Sequence, residues 1–151
     1  MPGVVAGDGR PKLRPERVAA EVVGGTYAGV AGYFLGRGVG TVATAMMTAD
    51  NEGLRERIVN TVGITGAAFA IGGTVYGIGS MGAEGGSFPS TMLGVSAGVA
   101  ASLLLSKLVF DGRMPVDEES SRRKWLMATL ESSLPAIGGT IAFNSSRRWQ
   151  R

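Results

Sequence analysis

Long uncharged apolar runs, separated by short charged breaks, organise this chain. Val22 to Gly36 carries no charge, Arg37 interrupts, and the uncharged stretch resumes from Gly38 to Ala49. Asp50, Glu52, Arg55, Glu56 and Arg57 form a charged break. From Ile58 to Ala83 no charge occurs, roughly 26 residues and about 39 Å as helix. Gly85 to Ser106 is again uncharged over roughly 22 residues, enough to cross a bilayer, before Lys107, Asp111 and Arg113. Pro115 to Lys124 is the most polar segment; its Glu118–Arg122 and Glu119–Arg123 pairs have the acid-first i,i+4 spacing of an exposed helical turn. A last apolar stretch, broken by Glu131 and Pro135, runs to Phe143.

These runs lack the polar face of a helix packed on a soluble core. The pattern predicts an all-α fold, a helical transmembrane bundle of three or four glycine-packed spans near 20–47, 58–82, 87–107 and 124–146. Residues 1–17 read as a flexible basic arm without the charged start and long apolar run of a signal peptide, and 18–151 as a single membrane domain. Glu84-Gly85-Gly86 is short enough to make the second and third spans an antiparallel hairpin.

Glycine placement sharpens this reading. Gly25, Gly29, Gly32, Gly36 and Gly40 step by four, three, four and four, which puts them on one helical face. Gly66, Gly73 and Gly77, with Ala70 between, continue the stepping in the second span, and Gly94 and Gly98 in the third. In lipid, apolar burial gives helices little reason to associate, so close backbone approach supplies the packing. In a water-exposed helix each such glycine costs about 1 kcal/mol relative to alanine. These positions are therefore expected to be helix-contact surfaces, within the chain or with another subunit. The structural alternative is a transmembrane β-barrel, which Gly72-Gly73-Thr74-Val75-Tyr76-Gly77 would suit. Against it, Leu103-Leu104-Leu105 and Ala67-Ala68-Phe69-Ala70-Ile71 do not alternate as barrel strands must.

Glycine makes up 25 of 151 residues, more than double the usual share of about 7%. Hydrophobic residues are 44%, which argues against disorder. Mean hydropathy is only +0.18 because charged ends and glycine dilute it. The chain has no Cys and no His, so thiol chemistry, disulfides, zinc-finger ligation and imidazole acid–base catalysis are excluded. Gly77-Ile78-Gly79-Ser80-Met81-Gly82 fits G-x-G-x-x-G, but no acid follows about 20 residues later, so no dinucleotide site is expected. No nucleophile–base pair or metal cluster is visible; the expectation is a non-enzymatic protein without cofactor. The net charge of +3 lies where apolar runs begin and end, which fits a membrane surface better than nucleic acid.

Arg37 and Glu131 are intramembrane charges in this reading, and such charges are functional by default. Arg37 has the alternative of snorkelling to the headgroups, Glu131 that of marking a helix that bends at Pro135, and the two have the option of pairing. Glu21 sits at the entry of the first span. Trp125 and Trp149 stand beside basic clusters, about 36 Å apart as helix, as interface anchors would. With four spans, seven Lys and Arg fall on each side, so the positive-inside rule does not set orientation. The basic N-terminal arm favours both termini in the cytoplasm.

The segment Gly86-Ser87-Phe88-Pro89-Ser90-Thr91-Met92-Leu93-Gly94, the glycine ladders and the closing Pro135-Ala136-Ile137-Gly138 and Ala142-Phe143-Asn144-Ser145-Ser146-Arg147 resemble small glycine-rich bacterial envelope proteins. The four-span layout is also similar to the mitochondrial inner-membrane protein-translocase class, without that class's intact basic, glycine-containing signature after the second span. Neither resemblance assigns a functional residue. The expected role is a structural or accessory subunit of a membrane assembly, with a pore, transporter or translocation component as the alternative. The expected partners are the lipid bilayer and either itself or other membrane subunits. The expected location is a bacterial inner membrane, with the outer membrane as alternative.

Overall fold

The computed structural model describes residues 13–45, 52–81, 84–110 and 121–149. The fold is all-α. The helices are α1 (Pro15–Ala45), α2 (Glu52–Gly79), α3 (Phe88–Phe110) and α4 (Ser121–Ser146). Two short strands, β1 (Glu84–Gly85) and β2 (Arg148–Trp149), pair antiparallel with Glu84 opposite Trp149. The barrel alternative fails because Gly72 to Gly77 lies inside α2, with its backbone bonds closed along the helix.

Local chemistry sets the helix ends. Pro15 opens α1, where a missing N–H loses nothing. The α1 start thus falls inside the segment expected to be a flexible arm. Ser87 caps α3: its hydroxyl accepts from the Ser90 N–H at 3.3 Å and its carbonyl from Thr91 N–H at 3.0 Å. Within the helices, the Thr26, Thr41, Thr44, Thr61, Thr65 and Thr91 hydroxyls donate to carbonyls one turn back. Such back-bonding satisfies a hydroxyl without water, as a lipid-facing helix requires. Pro135 lies inside α4, which continues through it to Ser146, so the expected break in the last helix is not there.

Among the described residues, three helices, α1, α2 and α3 as far as Leu108, are long and apolar enough to cross a membrane. Size is distributed the opposite way from a soluble protein. The buried face of α1 is Glu21, Gly25, Gly29, Gly32, Gly36, Gly40 and Thr44. Its large residues face out, Tyr27 75% and Leu35 72% exposed, as do Leu93 at 73% and Leu108 at 82% on α3. The buried hydrophobic cluster is small: Ile71, Val75, Val95, Ala136 and Phe143.

All sequence neighbours run antiparallel, but the close seams are α1–α2 and α3–α4. A β-carbon added at Gly36 would lie 2.5 Å from the Val62 carbonyl oxygen, and one at Gly32 would lie 2.6 Å from both Ala70 Cβ and the Gly66 carbonyl oxygen. Gly40 sits over Val59 Cα, while Gly25 and Gly29 pack on Ile71 of α2 and on Ala136 and Ser132 of α4. On the second seam Gly94 meets the Gly138 carbonyl, and Gly98 meets Pro135 Cα and the Leu134 carbonyl oxygen. The expected antiparallel α2–α3 hairpin is present, but its backbones do not approach as closely as those of the two seams. Its contacts are side chains, such as Met92 over Gly72 and the Tyr76–Phe88 rings at 5.3 Å.

The expected α2 stripe needs a correction. Gly66 is in the seam, but Gly73 and Gly77 face open space, with nothing within 4 Å of an added β-carbon. In its second half α2 faces α1 and α4 together, so its inward side moves to Ile71, Gly72, Val75 and Gly79. Gly63, Gly72, Gly138 and Gly139 are close-packed positions that the stepping did not select.

Candidate functional site

The start of α1, the end of α2, the start of α3 and the end of α4 share one end of the bundle, with the β1–β2 pair across it. A polar cluster assembles there from residues distant in sequence. Glu21 projects inward from α1 and is 0% exposed. The Asn144 side-chain amide donates to Glu21 Oε2 at 2.7 Å and to the Thr140 carbonyl at 2.9 Å. Arg147 Nη1 donates to Asn144 Oδ1 at 2.9 Å. One turn before Glu21, Arg17 donates to the Met81 carbonyl at the end of α2. The Ser146 hydroxyl accepts from the Ser87 N–H at 2.9 Å, tying the end of α4 to the start of α3.

Electrostatics explain why these residues stand together. A carboxylate without exposure needs opposite charge and hydrogen bonds. Asn144 supplies a bond, and Arg17 and Arg147 supply the charge. Among the described residues, Glu21 Oε1 and Thr140 Oγ1 are buried without a hydrogen-bond partner. Arg147 is 4% exposed. Burial lowers its guanidinium pKa from the ordinary value, Arg17 and Arg14 act in the same sense, and Glu21 opposes them.

The two charges expected within the spans, Arg37 and Glu131, lie elsewhere and have different partners. Arg37 is half-buried on the α1–α2 seam; its Nη1 donates to the Tyr33 hydroxyl at 3.1 Å and to Asn60 Oδ1, and its guanidinium lies 5.7 Å from the Tyr33 ring centre. Glu131 is partly buried on α4 and hydrogen-bonds Ser106 of α3. The option of an Arg37–Glu131 pair is thus replaced by two separate polar contacts. Trp125 lies early in α4 and Trp149 in β2, at opposite ends of that helix, and their side chains lie outside the described residues.

Sequence reasoning placed Glu21 at the span entry but passed over Asn144, Thr140 and Arg147. The available signal was the i,i+4 pair Arg17–Glu21 together with a second polar cluster at the other terminus. Their meeting depends on α4 packing against α1. Comparison with protein-family models, curated proteins and solved structures finds no match for this chain. As built, the cluster can fix the bundle's terminal end and hold charge at a membrane surface.

Proposed function

We propose that this chain is an integral membrane protein acting as a structural or accessory subunit of a larger membrane assembly, without enzymatic activity. The observation that carries the reading is the inversion of size: glycines line the seams while large apolar side chains cover the outside. Water would penalise that surface by about 25 cal/mol per Å2 of exposed apolar area, whereas lipid does not. With the α1 stripe occupied by α2 and α4, contact with other subunits falls to the outward faces, where Gly38, Gly73 and Gly77 leave bare backbone. The resemblance to glycine-rich envelope proteins supports a bacterial inner membrane as its location.

A pore, transporter or translocation component is the competing reading. Arg37 and Glu131 would serve it, but each is engaged by a neighbouring helix rather than presented along a shared path. The test begins with carbonate extraction and mild-detergent purification of the expressed chain. The subunit reading expects retention in the membrane fraction and a detergent-stable complex larger than one chain. It also expects R37Q and E131Q to leave any growth phenotype unchanged wherever assembly survives. Release by carbonate removes the membrane reading; a single-chain species removes the subunit role; a flux defect in assembled R37Q or E131Q favours the pore.

A further inference from the structure

Among the described residues, Arg37 is held by neutral groups alone. Its Nη1 donates to the Tyr33 hydroxyl at 3.1 Å on its own helix and to Asn60 Oδ1 on α2. The guanidinium also lies 5.7 Å from the Tyr33 ring centre. Gly63 makes the room: a β-carbon there would lie 2.8 Å from Arg37 Cγ and 3.0 Å from Tyr33 Cε2. Arg37, Tyr33 and Asn60 therefore form one polar site across the α1–α2 seam, seated on bare α2 backbone. A charge withdrawn from water needs an opposite charge as well as hydrogen bonds. Here the fold supplies the bonds and no carboxylate among the described residues joins them.

We propose that this site binds the phosphate of an anionic membrane lipid. Both helices put it at the edge of the hydrocarbon layer. Arg37 lies 16 positions after Glu21, about 24 Å along α1, against a hydrocarbon core of about 30 Å. Asn60 lies three positions after Arg57, the last charge before the uncharged run of α2. An arginine at that depth reaches the headgroup layer. Both of its hydrogen bonds use Nη1, so the Nε–Nη2 edge is the one a phosphate would take, in the paired geometry that suits a guanidinium. A basic site between membrane helices at headgroup level is the setting in which anionic headgroups bind.

A lipid fits better than free phosphate because an apolar track leads back from the site along α1. Phe34, three positions before Arg37 and 53% exposed, meets the Tyr33 ring edge-on at 5.7 Å. Tyr27, seven positions before Phe34 and so on the same helical face, is 75% exposed. An acyl chain lying on Tyr27 and Phe34 would bring its headgroup to Arg37, whereas a free phosphate gains nothing from that surface. The site thus pairs a cationic head position with an apolar track, the pattern of an amphiphile. The inference rests on the membrane reading alone and does not depend on a subunit role.

The test measures lipid retention by native mass spectrometry and thermal stability of the purified full chain in a neutral detergent. Phosphatidylglycerol, phosphatidylcholine and inorganic phosphate are added separately. Phosphatidylglycerol is expected to bind and raise Tm, while phosphatidylcholine and inorganic phosphate at equal concentration do neither. R37Q is expected to bind phosphatidylglycerol about tenfold more weakly. N60D keeps the arginine but supplies the missing negative charge from within the fold. It is expected to lose phosphatidylglycerol affinity as far as R37Q does, with a lipid-free Tm no lower than the parent's. R55Q, which removes an exposed charge at the same end of the bundle, is expected to bind within about twofold of the parent. Parent-like affinity in R37Q or N60D, or an equal loss in R55Q, overturns the proposal. Equal protection by inorganic phosphate overturns its lipid part. A chain retained in carbonate-washed membranes yet without headgroup preference refutes this inference while leaving the membrane reading intact; release by carbonate removes both.

Discussion

Replacing Gly36 by alanine adds one methyl group at the tightest point of the α1–α2 seam. That carbon would lie 2.5 Å from the Val62 carbonyl oxygen and 3.0 Å from Gly63 Cα, against 3.4 Å for the near edge of ordinary contact. The missing 0.9 Å, from 3.4 minus 2.5, has to come from backbone, because no flexible side chain stands there to move. Helix separation of that size loosens the neighbouring approaches at Gly32 and Gly40, so the effect extends over the whole seam. Overpacking of this kind costs about 1–3 kcal/mol. Gly38 on the same helix is the control: an added methyl there meets nothing within 4 Å. Alanine at Gly38 gains up to about 1 kcal/mol of helix propensity where the unfolded reference loses its helix, and about nothing where the helix persists. The propensity term is common to both sites, so the difference between G36A and G38A isolates the seam. It should be about 2 kcal/mol, or roughly thirtyfold in the unfolding equilibrium. Unfolding of the detergent-solubilised protein by SDS titration, followed by circular dichroism and tryptophan fluorescence, measures it. G36A as stable as G38A would refute the close-backbone account of the seam.

Two further substitutions probe how the hairpins join. N144A removes the amide donor to Glu21 and the acceptor for Arg147, leaving a buried carboxylate with less support, and should lower stability by about 2–4 kcal/mol in the same titration; a change under about 0.5 kcal/mol would show that the cluster does not tie α4 to α1. F143A empties a fully buried site packed by Gly79, Gly86 and the Tyr76 ring and should cost about 3 kcal/mol or more, while I141A, at a 62% exposed position, should be nearly silent; equal effects would mean that Phe143 is not a core residue.

Much of the architecture was legible because its physics is local. Uncharged runs of bilayer length require helices that close their own hydrogen bonds, and a step of three or four places small residues on one face whatever lies opposite. Hence the helices and the α1 stripe from Gly25 to Gly40 follow from residue spacing. Gly73 and Gly77 share the face of Gly66 by the same stepping, yet they point outward. The entry of α4 beside α1 moves the inward side of α2 to Ile71 and Val75. No spacing rule within α2 contains that information.

The terminal cluster marks the same division. Sequence alone determined that Glu21 sits near a span entry with Arg17 one turn before it, and that Asn144 and Arg147 close the last apolar run. It also determined which chemistries are excluded, since that needs only an inventory of side chains. Tertiary structure decided that Asn144 bonds Glu21 across 123 positions, that Arg37 turns to Tyr33 and Asn60, and that Glu131 turns to Ser106. The physical reason is that helix formation is governed by contacts within a few residues. Partner choice is governed by which faces allow backbones to approach and which buried polar atoms must be satisfied, and both depend on all four helices at once.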